Sequence, residues 1–178
     1  MSDEDARELA EYRAAKDAYF RDEPDSPLTP AGRRTFTGLA YYDYAPDLTF
    51  EVTPQSYEDI ESVEMGTSDG DVREYERWAR IGFVVDGAGQ SLTVFRDPQT
   101  GGLFLPFVDA GAGLETYGAG RYLDLPEIEG GRLLLDFNYA YQPFCAYNPG
   151  YSCPIPPAEN RLNVHIRAGE CLSADVQH

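Results

Sequence analysis

Arginines set among tyrosines and asparagines are the residues of this chain best suited to hold a ligand. Arg121, Arg161 and Arg167 are sparse cations in a near-neutral stretch, placed beside Tyr117, Tyr122, Tyr147, Asn138 and Asn160. A guanidinium offers a rigid donor fork to a carboxylate or phosphate, and tyrosines wall a pocket while donating a hydroxyl. The candidate ligand-binding set is therefore Tyr117, Arg121, Tyr122, Asp136, Asn138, Tyr147, Asn160, Arg161 and Glu170, for a small polar or anionic ligand. The competing expectation is structural: the arginines pair with Asp124, Asp136 or Glu170 and pin a loop.

Other chemistries find weaker support. Cys145, Cys153, His165 and Cys171 supply the four nitrogen and sulfur ligands that zinc takes. Their spacing, C-x7-C-x11-H-x5-C, lacks the tight pairs of a zinc knuckle, so the expectation is no metal and no cofactor. Cys145 and Cys153 are far enough apart for a disulfide, which a reducing cytoplasm disfavours, and buried thiols are the commoner outcome. A hydrolase using Cys145 or a carboxylate is the enzymatic alternative, with His165 as the internal histidine. Asp109, Glu115, Asp124 and Asp136 could do acid/base work, but carboxylates carry little signal in so acidic a chain. The glycines of GAGLETYGAGR have neither a P-loop lysine nor a strand-to-helix setting, and they read as tight turns. A purely structural or protein-interaction role is the remaining alternative.

The elements that must position these groups are mostly strands. SDEDARELAEYRAAKDAYFR reads as a helix: Ser2 and Asp5 suggest a capping box, acids fill the first turn, and Ala6, Leu9, Lys16 and Phe20 recur at helical spacing. Thr29-Pro30 is an N-cap and first-turn pair for a short helix through Arg34. LTFEVTP from Leu48, Trp78 to Val85, Gln90 to Arg96, LFLPFVD and RLLLDFN read as strands, the last buried on both faces. Asp86-Gly87-Ala88-Gly89 forms a hairpin loop, and NVHIRAG closes the sheet. The pattern predicts a mainly β fold, an antiparallel sandwich or partly closed barrel, with an N-terminal capping helix. A single domain over 1–178 is expected, with the helix at 1–23 and the β-core at 39–170.

Within that core, residues 139–160 form a long loop rich in proline and tyrosine. Pro143, Pro149, Pro154, Pro156 and Pro157 deny it both helix and central strand. Phe144, Tyr147 and Tyr151 give it surface to bury, so an ordered loop pinned to the β-core is expected rather than disorder.

Charge excludes some partners. The chain of 178 residues has a formal net charge of −17, and Lys16 is its only lysine. Residues 1–76 hold 20 acids against 7 bases, and residues 77–178 hold 11 against 7, so the solvated face belongs mainly to the N-terminal part. Scattered acids with scarce lysine are what a protein of a salt-saturated cytoplasm would carry, since hydrated carboxylates repel one another and oppose aggregation. Phosphates would be repelled, which argues against nucleic acid. No apolar run approaches the ~20 residues of a membrane span, and the acidic N-terminus is unlike a secretory signal. The expectation is a cytoplasmic protein; the sequence leaves its oligomeric state open.

Four stretches carry a family resemblance: SPLTP with FTGLAYYDY, TSDGDVREYERWARIGFVVDG, LFLPFVDAGAGLETYGAGRYLDL, and DFNYAYQPFCAYNPGYSCPIPPAENRLNVHIRAGE. They resemble a bacterial and archaeal family catalogued as a domain of unknown function, number sixteen eighty-four. The likeness runs from Lys16 to Glu170. Motif positions here include Tyr117, Arg121, Tyr122, Asp124, Asp136, Asn138, Cys145, Tyr147, Cys153, Pro154, Asn160, Arg161, Ala168, Gly169 and Glu170. His165 and Cys171 lie outside the motif. Because that family has no established reaction, the resemblance implies no catalytic roles.

Overall fold

The structure is a computed structural model that describes residues 3–173. Helix α1 spans Asp3–Asp22, and its first turn carries Asp3, Glu4 and Asp5 where the helix dipole favours acids. The expected cap at Ser2 lies outside the described residues. Leu9 and Phe20 are the buried contacts of α1. Helix α2, Pro30–Thr35, starts as its sequence predicts: the Thr29 hydroxyl accepts a hydrogen bond from the Gly32 amide, and Pro30 fills the first turn.

Eight strands follow among the described residues: β1 (Thr49–Val52), β2 (Gln55–Gly66), β3 (Val72–Val85), β4 (Ala88–Arg96), β5 (Leu103–Phe107), β6 (Arg121–Leu123), β7 (Glu127–Ile128) and β8 (Arg132–Asp136). They form two antiparallel sheets, one of three strands ordered β1-β8-β7 and one of five ordered β2-β3-β4-β5-β6. The expected mainly β fold with an N-terminal helix is borne out, as two sheets rather than a closed barrel. One core joins them. Val52, Leu133 and Leu135 of the small sheet pack in the same cluster as Ile81, Phe83, Leu92, Leu105 and Phe107 of the large one. Phe137, just past β8, sets its ring edge-on to Phe107 at 5.3 Å between centroids.

Four local expectations are corrected. Asp86-Gly87 is a two-residue turn, because Val85 pairs with Ala88, and both turn residues adopt the positive φ (50° and 78°) that such a hairpin requires. The acidic segment 55–66, assigned no structure from the sequence, is the long edge strand β2. One face is wholly exposed and the other is covered only at Tyr57, Val63 and Met65, with Asp59 and Glu61 interrupting the apolar alternation, and the strand's charges suit a sheet edge that must not recruit another strand. In β8, Leu133 and Leu135 are buried but Leu134 is only half-buried, so one face of that strand stays open. NVHIRAG forms no strand, because its carbonyls are engaged by a side chain. Arg121 takes the carbonyls of Ile166, Ala168 and Glu170.

The prolyl loop is ordered as expected. Ile155 donates its amide to the Gly66 carbonyl (2.8 Å), Ser68 donates to the Cys153 carbonyl (2.9 Å), and the Asn148 side chain donates to the Pro27 carbonyl (3.0 Å). Short 3-10 turns at Phe144–Ala146 and Ala158–Asn160 absorb its direction changes.

Candidate functional site

The nine residues singled out in the sequence are distributed over separate networks. Arg121 is 1% exposed. One of its terminal nitrogens donates to the Ala168 and Glu170 carbonyls at 2.5 and 3.0 Å, and the other to Ile166 at 2.7 Å. Asp109 lies 3.8 Å away, the Phe107 ring centroid 5.2 Å away, and Nε has no hydrogen-bond partner. Burial pushes the Arg121 pKa down, and Asp109 opposes that shift. The fork expected to meet a ligand is thus spent on the backbone of residues 166–170.

Glu170, also 1% exposed, anchors a second network. Its carboxylate pairs with Lys16 of α1 and accepts from the Gln142 amide (2.8 Å) and the Tyr147 hydroxyl (2.9 Å). The Gln142 side chain links this pair to Tyr117, accepting from the Tyr117 amide at 2.7 Å and donating to the Tyr147 hydroxyl at 3.1 Å. Tyr117, Tyr147 and Glu170 therefore do come together, around the buried Gln142 that sequence reasoning missed. A buried glutamine in a tyrosine-rich loop gives no spacing signal that could have found it. At Gly169, which has a φ of +78°, a Cβ would stand 2.5 Å from the Ala140 carbonyl oxygen, so only glycine lets the chain reach this position.

Asn138 and Asp136 form a third group. The Asn138 carboxamide accepts from the Ala45 amide at 2.8 Å and donates to the Ala45 carbonyl and to Asp136 Oδ1, both at 2.9 Å. Asp136 Oδ1 accepts from Thr49 Oγ1 and from the Asn138 amide, each at 3.0 Å. Asn160 stands apart from these and is wholly buried. It donates to the carbonyls of Thr93 in β4 and Pro106 in β5 and accepts from the Thr93 amide, each at 2.8 Å. The Tyr122 hydroxyl donates to the Pro154 carbonyl, tying β6 to the prolyl loop. Arg161 alone is exposed, and its side chain makes no hydrogen bond or ion pair among the described residues.

Arg167 forms a surface fork with Glu115, Nε to Oε2 and Nη2 to Oε1 both at 3.1 Å. The Glu115 pKa is lowered by that hydrogen bond first and by the Tyr42 hydroxyl second. His165 faces the same carboxylate, with Nδ1 3.6 Å from Glu115 Oε2, rather than a cysteine. The three cysteines are free thiols. Cys153 Sγ accepts from the Cys145 amide at 3.4 Å, and burial raises the Cys153 pKa to about 11. Among the described residues, no group of three or more histidine, cysteine or acidic side chains could hold a metal ion.

An open cavity lies elsewhere, between α1 and the outer face of the small sheet. It encloses about 780 Å³. Its floor is apolar: Leu9 from α1, Leu103, Leu125, Pro126 and the half-exposed Leu134 of β8. Tyr12, Tyr44 and Tyr139 line it, with Tyr12 and Tyr139 edge-on at 4.9 Å. Asp5, Glu8, Glu51, Asp124 and Asp136 supply carboxylates, and among the described residues no lysine, arginine or histidine lines it. Glu51 is paired with Arg132. Of the residues expected at a site, only Asp136 borders this cleft. The signal that could have found it is the pairing of Leu9 and Tyr12 with Asp5 and Glu8 on one face of α1, where Tyr12 stays 40% exposed.

These features define a mainly β protein of two antiparallel sheets with a helix-covered cleft. The family model described as "Protein of unknown function (DUF1684)" matches residues 34–171, and the chain belongs to that family. The solution NMR structure of an uncharacterized protein of Haloarcula marismortui is similar, with 38% sequence identity and a TM-score of 0.73. The match covers 99% of this chain and 100% of that one. No curated protein matches. No helix among the described residues is long and apolar enough to cross a membrane.

Proposed function

We propose that the protein is a binding module whose small polar ligand occupies the cleft between α1 and the β1-β8-β7 sheet. The cleft itself carries this reading. A space of about 780 Å³ with an apolar floor, three tyrosines and a few carboxylates has the size and lining of a small-molecule site. An anion held by arginine loses its support, since Arg121 is buried against carbonyls and Arg161 stands alone on the surface. The acid excess and the likeness to a Haloarcula protein support a version of the family suited to high salt. Three unpaired thiols fit a reducing cytoplasm.

The test is a thermal-shift screen of small polar compounds on the parent and on Leu134→Trp, which fills the cleft from its floor. A compound that raises the Tm of the parent should leave the variant unmoved. An equal shift in a folded Leu134→Trp protein would place the ligand elsewhere and end this reading.

A further inference from the structure

We propose that the ligand of this cleft is an organic cation with a short apolar body, of the aryl- or alkylammonium class; the assignment rests on the cleft being the binding site. The apolar part is matched by Leu103, Pro126 and Leu134, whose exposed surface water would otherwise cover. The charge is matched by Glu8, Asp124 and Asp136, which have no cationic partner within ion-pair reach among the described residues. Glu51 is different, because Arg132 already neutralises it.

Acidity alone would mean little in a chain with 31 acids. What distinguishes this place is that its carboxylates, solvent-exposed at Glu8 and Asp124, rim an apolar floor and aromatic rings. Tyrosine rings attract a cation through their quadrupole, so Tyr12, Tyr44 and Tyr139 add to the same preference. Their phenols respond to the field of the cleft. Burial raises the pKa of each, and acidic neighbours raise it further: Glu170 and then Asp124 at Tyr12, Asp5 and Asp136 at Tyr44, and Asp136, Glu8 and Asp5 at Tyr139, where Arg13 opposes them. A bare metal ion is a poor fit, because the carboxylates are spread around the cleft and form no group able to coordinate one. An anion would meet repulsion from the walls and no donor fork to offset it.

Three probes of one shape separate the possibilities: phenethylammonium, phenethyl alcohol and 3-phenylpropionate, titrated at constant ionic strength and followed by the amide resonances of Leu125, Leu134 and Tyr139. Phenethylammonium should move those resonances and bind at least ~10-fold more tightly than the alcohol, the advantage expected of a cation beside carboxylates and aromatic rings. In the double variant Glu8→Gln/Asp124→Asn, which alters two exposed side chains, that advantage should fall to about threefold or less while the alcohol's affinity holds. If the alcohol or the carboxylate binds in the cleft as tightly as the ammonium, the cation assignment is wrong and the cleft remains the site. An undiminished advantage in the double variant also overturns the assignment, as attraction by net charge alone. If no probe moves the cleft resonances, the cleft reading fails and the cation assignment falls with it.

Discussion

Lys16, the only lysine of the chain, forms an ion pair with Glu170, whose side chain is 1% exposed. The pair joins the middle of α1 to a position 154 residues later and sets the helix that roofs the cleft. Tyr141 receives the same ammonium at 4.8 Å from its ring centroid. Lys16→Met keeps the stem but strands a buried carboxylate, a change that costs about 3–5 kcal/mol. Chemical denaturation should show that loss, and probes bound in the cleft should weaken with it. Unchanged stability in Lys16→Met would mean that the pair is solvated and α1 is held by its other contacts, Leu9, Phe20 and the Arg13 and Asp17 hydrogen bonds.

Arg121 and Arg161 should respond oppositely to truncation. Arg121→Ala removes the donor that serves three backbone carbonyls and leaves Asp109 without its cation, so a loss of about 3–5 kcal/mol is expected. Arg121→Lys should recover only part of it, since one ammonium cannot reproduce a planar fork. Arg161→Ala, on an exposed side chain, should stay within about 0.5 kcal/mol of the parent. Urea titrations of the three variants decide this, and a stable Arg121→Ala protein would contradict the strut geometry.

Salt should stabilise the fold. With −17 of formal charge, self-repulsion opposes the compact state until counterions screen it. The Tm should fall steeply on dialysis from molar salt to ~0.1 M, where the Debye length reaches about 10 Å. A Tm that holds constant across that range would rule out adaptation to a salt-rich cytoplasm.

Alkali should destabilise the prolyl loop. Burial holds the Cys153 thiol protonated up to about 11, against 9.0 for a free thiol, and holds the Tyr117 phenol up to about 12, against 10.0. Both folded values are raised, so their contribution is complete below the unfolded value and is lost as pH rises through the folded one. Stability should therefore decline from pH 9 towards 11, and less steeply in Cys153→Ala. Equal slopes for parent and variant would show that this thiol is not protected.

The sequence displays local features clearly and long-range ones hardly at all. The α1 helix, the Thr29 cap and the Asp86-Gly87 hairpin follow from residues within a few positions of one another. The edge strand β2 did not, because Asp59 and Glu61 interrupt the apolar period on its one partly covered face. NVHIRAG looks like a strand because its side chains alternate, yet Arg121 claims its Ile166 and Ala168 carbonyls from 45 and 47 residues away. The same ambiguity misdirected the site. An arginine beside tyrosines has one composition whether its fork meets a ligand or the backbone, and only the fold separates the two. The cleft was hidden for a related reason: its walls come from α1, β1, β8 and the segment after β6, and no single stretch contains it.

The position of Asn160 also bears on the birth of the chain. Strands β4 and β5 share only two paired positions, Phe95 with Phe104 and Arg96 with Leu103, and the remaining seam is closed by the Asn160 carboxamide. Asn160 follows Pro106 by 54 residues. At a synthesis rate of ~5–20 residues per second, that seam waits about 3–10 s for its closing residue. During that interval the emerging polypeptide presents unpaired strand backbone of apolar sequence to its surroundings. A ribosome-bound chaperone that recognises exposed β edges would find its target in that interval.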